Sequence, residues 1–170
     1  MSERELTPTS YIVLGLLQDD PGTPYDLKGR VAAGLGNFWT IQHAQLYTET
    51  ARLAKEGLLS EDRESEGRRR KTYSLTKAGE EALLSWLDDD AVSDLPAVRD
   101  PGLLKIFLGA DPKAIAAAQL TAHKARLHEW ENLRQALKGF DFPEGPGLTL
   151  EAGIAYERMS VKFWSSVAAR

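Results

Sequence analysis

The sequence predicts a mostly α-helical fold that contains one small β-hairpin. Four Thr-Pro or Asp-Pro pairs mark helix starts, because Thr and Asp cap a first turn and Pro fits the first helical position. These pairs begin at Thr7, Thr23, Asp100 and Asp111. Apolar residues recur at helical spacing after the starts, whereas residues 58–75 have the pattern of two short strands around a turn.

The first half is predicted to hold three helices, a hairpin and a fourth helix. Asp26 lies three residues after Thr23 and completes a capping signal, and Gly57 suits a left-handed cap at the end of the third helix. The predicted bounds, in chain order, are a first helix from Pro8, a second from Pro24 to about Ala33, a third from about Ile41 to Glu56, strands 58–64 and 69–75 around a tip at 65–68, and a fourth helix from Lys77 to about Asp88.

The acidic, Pro-containing stretch from Asp88 to Pro101 is the predicted domain boundary, with an N-terminal domain at residues 1–90 and a C-terminal domain at 91–170. The second domain is predicted to be wholly helical. Its predicted elements are a short helix from Pro101 to about Leu108, a long helix from Pro112 to Lys138, a Pro/Gly-rich turn at 141–147 and a last helix at about 150–169.

Three helices closed by a hairpin form the winged helix-turn-helix arrangement, in which the third helix fits the major groove of DNA. The third helix has a polar face opposite Leu46 and Leu53, and the hairpin, or wing, carries four consecutive cations. The candidate DNA contacts are Gln42, His43, Gln45, Tyr47, Thr48 and Arg52 on the helix, and Arg68, Arg69, Arg70, Lys71 and Tyr73 on the wing. The alternatives are a solvent-facing helix surface, a wing whose cations pair with Asp62, Glu64 and Glu66 on the facing strand, and a Tyr73 ring packed under the wing.

The chain resembles the PadR family of bacterial transcriptional regulators, in its longer form with a helical C-terminal dimerisation domain. The resemblance rests on residues 11–17, 25–27, 38–39, 46–47, 53–59 and 67–79, and more loosely on 99–109 and 153–158. It implies a homodimeric repressor that binds an imperfect palindrome with half-sites about 10 bp apart. It also implies release from double-stranded DNA by a small aromatic or drug-like effector. Residues 40–45 depart from the family pattern, so we expect a distinct operator.

Tryptophans are the candidate effector contacts, because flat aromatic ligands stack on such rings. The predicted effector contacts are Trp86, Trp130 and Trp164. The alternative is a core position, which is the more common role of an aromatic residue in a helix. The long helix repeats Leu120 and Leu127 seven residues apart, which indicates a modest coiled-coil seam. This seam and the wide apolar face of the last helix favour a dimer over a helical hairpin within one chain.

Several other classes are excluded or disfavoured. There is no Cys, and the sequence lacks a nucleophile elbow, a phosphate-binding loop and a zinc-protease motif, so we predict no enzyme, no cofactor and no metal site. The formal charge is −4, and no apolar run is long enough to span a bilayer, which predicts a cytoplasmic protein without a membrane role. Two further alternatives are a winged-helix protein-interaction module that does not bind DNA and a MarR-like regulator.

Overall fold

The computed structural model describes residues 5–63, 70–89 and 99–170. The chain divides into two compact units, Met1–Ser93 and Asp94–Arg170. The roles that the sequence predicts for the two domains, DNA binding at 1–90 and dimerisation at 91–170, remain predictions.

The N-terminal unit contains four helices and a two-stranded antiparallel sheet. The strands pair with Leu59 opposite Leu75 and Arg63 opposite Lys71. The predicted hairpin tip, with Arg68 and Arg69, lies outside the described residues. The elements, in chain order, are α1 (Pro8–Leu16), α2 (Pro24–Ala32), α3 (His43–Lys55), β1 (Leu59–Arg63), β2 (Lys71–Leu75) and α4 (Lys77–Asp88), with a short 3-10 turn at Leu35–Asn37 between α2 and α3.

Side-chain caps explain where the helices of this unit begin. Thr23 accepts a hydrogen bond from the Asp26 N–H, and the Asp26 carboxylate accepts from the Thr23 N–H at 2.8 Å. The Thr23 N–H, and after it the Thr23 hydroxyl, which donates to the same carboxylate at 2.7 Å, hold the pKa of Asp26 below its usual range. At the other end of the unit, the Thr76 hydroxyl accepts from the Gly79 N–H at 3.1 Å. The predicted starts at Pro8, Pro24 and Lys77 therefore agree with the structure.

The core of the N-terminal unit lies between α1, α3 and the sheet. Its buried apolar side chains are Val13, Leu14, Leu17, Leu27, Leu46, Leu53, Leu59, Tyr73 and Leu83. Leu46 and Leu53 lie seven residues apart on one face of α3, so burying them directs the opposite face of the helix outward. The core therefore fixes which side of α3 is available to a partner.

The C-terminal unit consists of α5 (Pro101–Phe107), α6 (Pro112–Ala136) and α7 (Glu144–Ala168). Helix α6 has 25 residues, a length of about 37 Å. The prediction that the last helix begins near Leu150 is wrong, because α7 begins at Glu144 and includes Pro146 in its first turn. The N–H groups of a first turn have no partner within the helix, so a Pro is tolerated there.

Close packing joins α6 to α7. The Trp130 ring lies against Gly153, where an added Cβ would overlap it, and Trp164 is buried with Ala116 and Val167. His123 Nδ1 lies 2.5 Å from Glu157 Oε2 in the same seam, and Glu157 is buried. The seam therefore combines an apolar contact at each end with a polar pair between them.

Candidate nucleic-acid interface

The outward face of α3 presents polar side chains near its N-terminus. Gln42, His43, Gln45 and Thr48 are exposed, as is Tyr47. Gln42 is the N-cap residue, and its N–H donates to the side-chain oxygen of Gln45 at 3.0 Å. The helix begins at His43, two residues later than predicted. Gln45 has a structural hydrogen bond in this structure, and a base contact would use its amide N–H groups.

Arg52, which the sequence predicts as a DNA contact, is mostly buried and paired with acids of its own helix. Its side chain is only 16% exposed and pairs with Glu49 at 2.6 Å and with Glu56 at 2.7 Å. It also donates to the hydroxyl of Ser10 on α1 at 3.0 Å. The hydrogen bond with Glu49, and after it that with Glu56, raises the pKa of the guanidinium. We therefore remove Arg52 from the candidate DNA contacts, because its donors are used within the unit.

Tyr73 is also removed from the candidate DNA contacts. Its ring is 2% exposed and belongs to the core, which is the packed alternative that the sequence left open. Burial and the hydrogen bond from its hydroxyl to Glu61 at 3.1 Å raise the pKa of the phenol. Tyr73 borders a groove beside Lys71, but so little of it is exposed that its main role is to support the wing from below.

The described part of the wing carries both cations and an acid. Lys71 Nζ and Arg63 Nη2 each lie 3.0 Å from Glu61, and these contacts hold the pKa of that carboxyl below its usual range, with Lys71 as the largest cause. Arg70 is exposed. Pairing across the strands is thus part of the wing, but its acid is Glu61 and not Asp62, and Glu64 and Glu66 lie outside the described residues. Pairing and a DNA contact are compatible, because the Lys71 side chain is still 41% exposed.

A groove lies between the wing and helix α3. It has a volume of about 710 Å³ and lies between the start of α2, the outer side of α3 and the start of β2. Tyr25, Tyr47, Arg70 and Lys71 contribute to its walls. Tyr25, which is 71% exposed, is absent from the sequence-based candidates. The sequence feature that could have identified Tyr25 is its position directly after a Pro at a helix start, since a residue there projects from the end of the helix.

The structure treats the three candidate effector tryptophans differently. Trp130 and Trp164 are buried within the α6–α7 packing, so a ligand cannot stack on them without opening that seam. Trp86 is 46% exposed and stacks on Tyr11, with ring centroids 4.4 Å apart and planes within 8°. Trp130 and Trp164 are therefore core residues here, and Trp86 alone of the three keeps an accessible ring face or edge.

The described ranges contain neither a helix that could span a membrane nor a cluster that could hold a metal ion. None of their helices combines the length and the apolar character needed to cross a bilayer. Among the same residues, no three His, Cys, Asp or Glu side chains come together in a way that could hold a metal ion.

Three helices, a two-stranded wing and an outward polar face on the third helix define a winged helix-turn-helix protein. Residues 13–85 match the Transcriptional regulator PadR-like family, and residues 98–170 match the Virulence activator alpha C-term family. The chain is also 34% identical to the Negative transcriptional regulator PadR of Bacillus subtilis (strain 168) over 174 aligned positions, 94% of each sequence. The chain belongs to the PadR-like family of transcriptional regulators.

Solved structures agree with this assignment. The chain is similar to Bacillus subtilis PadR in complex with operator DNA, with a TM-score of 0.81, 28% identity and coverage of 94% of this chain and 96% of that chain. It is also similar to Bacillus subtilis PadR in complex with p-coumaric acid, with a TM-score of 0.74, 26% identity and coverage of 97% of each chain. The predicted fold class and family are thereby confirmed. The family is one of regulators and not of enzymes, and the matches give the MarR-like alternative no support.

Proposed function

We propose that this chain is a homodimeric repressor that binds operator DNA through α3 and the wing and leaves it when a small aromatic molecule binds. The observation that carries the proposal is the outward polar face of α3 beside a groove with wing cations, in a chain 34% identical to a negative regulator over 94% of its length. Transcription is controlled on DNA in the cell interior, so the proposal includes a cytoplasmic location.

The exposed side chains near the start of α3 are the base-reading candidates. Gln42, His43 and Thr48 present donors and acceptors that can pair with base edges in the major groove. Tyr25 and Tyr47 border the groove that leads to Arg70 and Lys71. We assign the backbone contacts to this groove, because tyrosine hydroxyls and cations bind phosphate oxygens without reading sequence. Arg68 and Arg69 remain candidate backbone contacts from the sequence.

A second copy of the chain is the proposed partner of the C-terminal unit. Helix α7 exposes Leu148, Tyr156, Met159 and Phe163 at intervals of three, four or eight residues, so they share one face. Helix α5 also exposes large apolar side chains, among them Phe107. An apolar stripe of this length is typical of an interface rather than of a solvated surface. Dimerisation here would pair two winged units, as a palindromic operator requires.

The proposed effector is a small aromatic acid. Bacillus subtilis PadR has been solved with p-coumaric acid, and the present chain is 26% identical to that structure over nearly its full length. Of the three candidate tryptophans, Trp86 is the one whose fluorescence we expect to respond, because Trp130 and Trp164 are buried in the α6–α7 seam. Titration with p-coumaric acid should quench the emission of the wild type and leave a Trp86→Phe variant unchanged.

The test of DNA binding begins with selection of duplexes from a random-sequence pool by the wild-type protein. Fluorescence anisotropy then compares the selected duplex with a scrambled one at about 50 and about 200 mM salt, because phosphate contacts make affinity fall with salt. We expect tight binding to the selected duplex, weak binding to the scramble, and a palindrome in the selected sequence. Enrichment of no sequence would overturn the proposal and favour a protein-interaction module. Adding p-coumaric acid at the end tests release.

A further inference from the structure

We propose that Arg52 is a positioning residue, which sets the orientation of the recognition helix α3 by joining it to α1 through Ser10 and Glu49. The inference rests on the proposed function, because orientation matters only if α3 reads DNA. It assigns to Arg52 a role that differs from the direct DNA contact that an arginine on such a helix suggests.

Every nitrogen of the Arg52 guanidinium is hydrogen-bonded within the unit. A guanidinium has five N–H groups. Nε donates to Glu49 at 3.1 Å, Nη1 lies 2.8 and 2.7 Å from the two Glu56 oxygens, and Nη2 donates to Glu49 at 2.6 Å and to Ser10 at 3.0 Å. Each of the three guanidinium nitrogens therefore has a carboxylate partner within the unit. A phosphate or a base would have to compete with these carboxylates for Arg52.

Charge on this flank of α3 also opposes a phosphate contact. The guanidinium of Arg52 lies between two carboxylates, those of Glu49 and Glu56. Together these three side chains carry one net negative charge. A DNA phosphate near this flank would be repelled, whereas the groove on the other flank, beside Tyr47, contains Arg70 and Lys71. The two flanks of α3 therefore differ in their suitability for DNA.

A hydrogen-bonded cluster of Arg52, Glu49, Glu56 and Ser10 links α3 to α1, and this link gives Arg52 its positioning role. Ser10 is fully buried, and its hydroxyl donates to Glu49 at 2.5 Å while accepting from Arg52. Helix α1 supplies Val13 and Leu14 to the core, so Ser10 stands on a fixed element. The apolar contacts of α3 fix which face is buried, but because hydrophobic contact is not directional they oppose a small rotation of the helix only weakly. A bidentate hydrogen-bonded cluster has a defined geometry and opposes that rotation.

The experiment uses two variants that interrupt the cluster from opposite ends and one control. Arg52→Gln removes the guanidinium, and Ser10→Ala removes the attachment to α1 from a buried site that DNA cannot touch. Thr7→Ala is the control for the capping role of Ser10, because the Thr7 hydroxyl contacts the Ser10 hydroxyl at 3.1 Å but contacts neither Arg52 nor Glu49. Affinities for the selected duplex and the scramble are measured by anisotropy at both salt concentrations, and circular dichroism records thermal unfolding.

We expect Arg52→Gln and Ser10→Ala each to lower the ratio of selected to scrambled affinity by about tenfold, comparable to one lost base contact. The salt dependence should not change, since no phosphate contact is lost. Thr7→Ala should lower the unfolding temperature and leave the ratio intact. Arg52→Lys keeps the charge without the planar group and should recover only part of the ratio, and it remains informative if the glutamine variant does not fold.

Three results would overturn the inference. A salt slope reduced in Arg52→Gln but not in Ser10→Ala would show that Arg52 binds a phosphate. An unchanged affinity ratio in both variants, with the wild type still discriminating, would leave the cluster a purely structural role. A wild type that does not discriminate would refute the proposed function and this inference with it, and is distinguishable because it appears before any substitution is made.

Discussion

Removing the charge of Lys71 should weaken DNA binding at every sequence and make it less sensitive to salt. Lys71 lies on the wall of the groove between the wing and α3 and is 41% exposed. Each phosphate contact contributes about 0.9 to the slope of log affinity against log salt. The proposed dimer has two copies of Lys71, so Lys71→Gln should reduce the slope by about 1.8.

This slope translates into a measurable ratio. Between about 50 and about 200 mM salt, a slope difference of 1.8 corresponds to a change of about twelvefold. The wild type should therefore lose about twelve times more affinity than Lys71→Gln over this range, for the selected and the scrambled duplex alike. Fluorescence anisotropy titrations of both duplexes at four or more salt concentrations provide the slopes.

The ion pair of Lys71 supplies a matched variant of opposite sign. Glu61 Oε2 lies 3.0 Å from Lys71 Nζ, so Glu61→Gln removes a negative charge beside the expected phosphate. Glu61→Gln should raise affinity for both duplexes while keeping the number of phosphate contacts. An unchanged slope in Lys71→Gln would refute the reasoning, because it would mean that the Lys71 charge serves the pair with Glu61 and never meets a phosphate.

Three further predictions concern stability. His123→Ala removes the hydrogen-bond partner of Glu157, whose side chain is only 4% exposed, and should lower the free energy of unfolding by about 1–3 kcal/mol in urea denaturation. Gly153→Ala forces a methyl group into the Trp130 ring and should cost about 1–3 kcal/mol in the same assay. The lowered pKa of Asp26 adds stability above its usual pKa, so the thermal-melt difference between wild type and Asp26→Asn should disappear as pH falls through the folded pKa.

Each stability prediction has a control that the structure supplies. An added Cβ at Gly29 meets nothing within 4 Å, so Gly29→Ala should be neutral or stabilising where Gly153→Ala is destabilising. Replacing both His123 and Glu157 by Leu should recover most of the stability that His123→Ala loses, because no buried carboxyl group is then left without its hydrogen-bond partner. Equal losses in the single and double variants would contradict the explanation by an unpaired carboxylate. A pH-independent difference in Asp26→Asn would mean that its charge does not contribute.

Local signals in the sequence predict the order of elements well. The starts of α1, α2, α4, α5 and α6 follow from Thr-Pro, Asp-Pro and Thr76 caps, which act within four residues and need no knowledge of the rest of the chain. The predicted start of α7 is wrong, because Pro146 and its neighbouring glycines suggest a turn at residues that belong to the helix. Packing of α7 along α6 outweighs that local preference, and only the three-dimensional contact reveals it.

The site was harder to predict than the fold, since polarity along a helix does not say what a side chain meets. Trp164 and Trp130 are aromatic residues at helical spacing, and the sequence alone cannot distinguish a core ring from a ligand-binding one. Tyr73 has the same ambiguity on the wing, where alternation assigns it to one face but does not say which face is buried. Its 2% exposure is decided by the register of β1 against β2 and by the helices beneath them.

Arg52 shows that spacing of opposite charges contains information that a list of polar residues omits. Glu49 and Glu56 lie three residues before and four residues after Arg52, and both positions place a carboxylate beside the guanidinium on a helix. An arginine between two such acids has partners within its own helix before any DNA arrives. Lys71 has one acidic partner, Glu61, and keeps an exposed side chain. Arg52 has two acidic partners and a third contact, to Ser10 on α1. The number of partners within the fold, more than the charge itself, therefore separates the cation available to DNA from the cation that holds the helix in place.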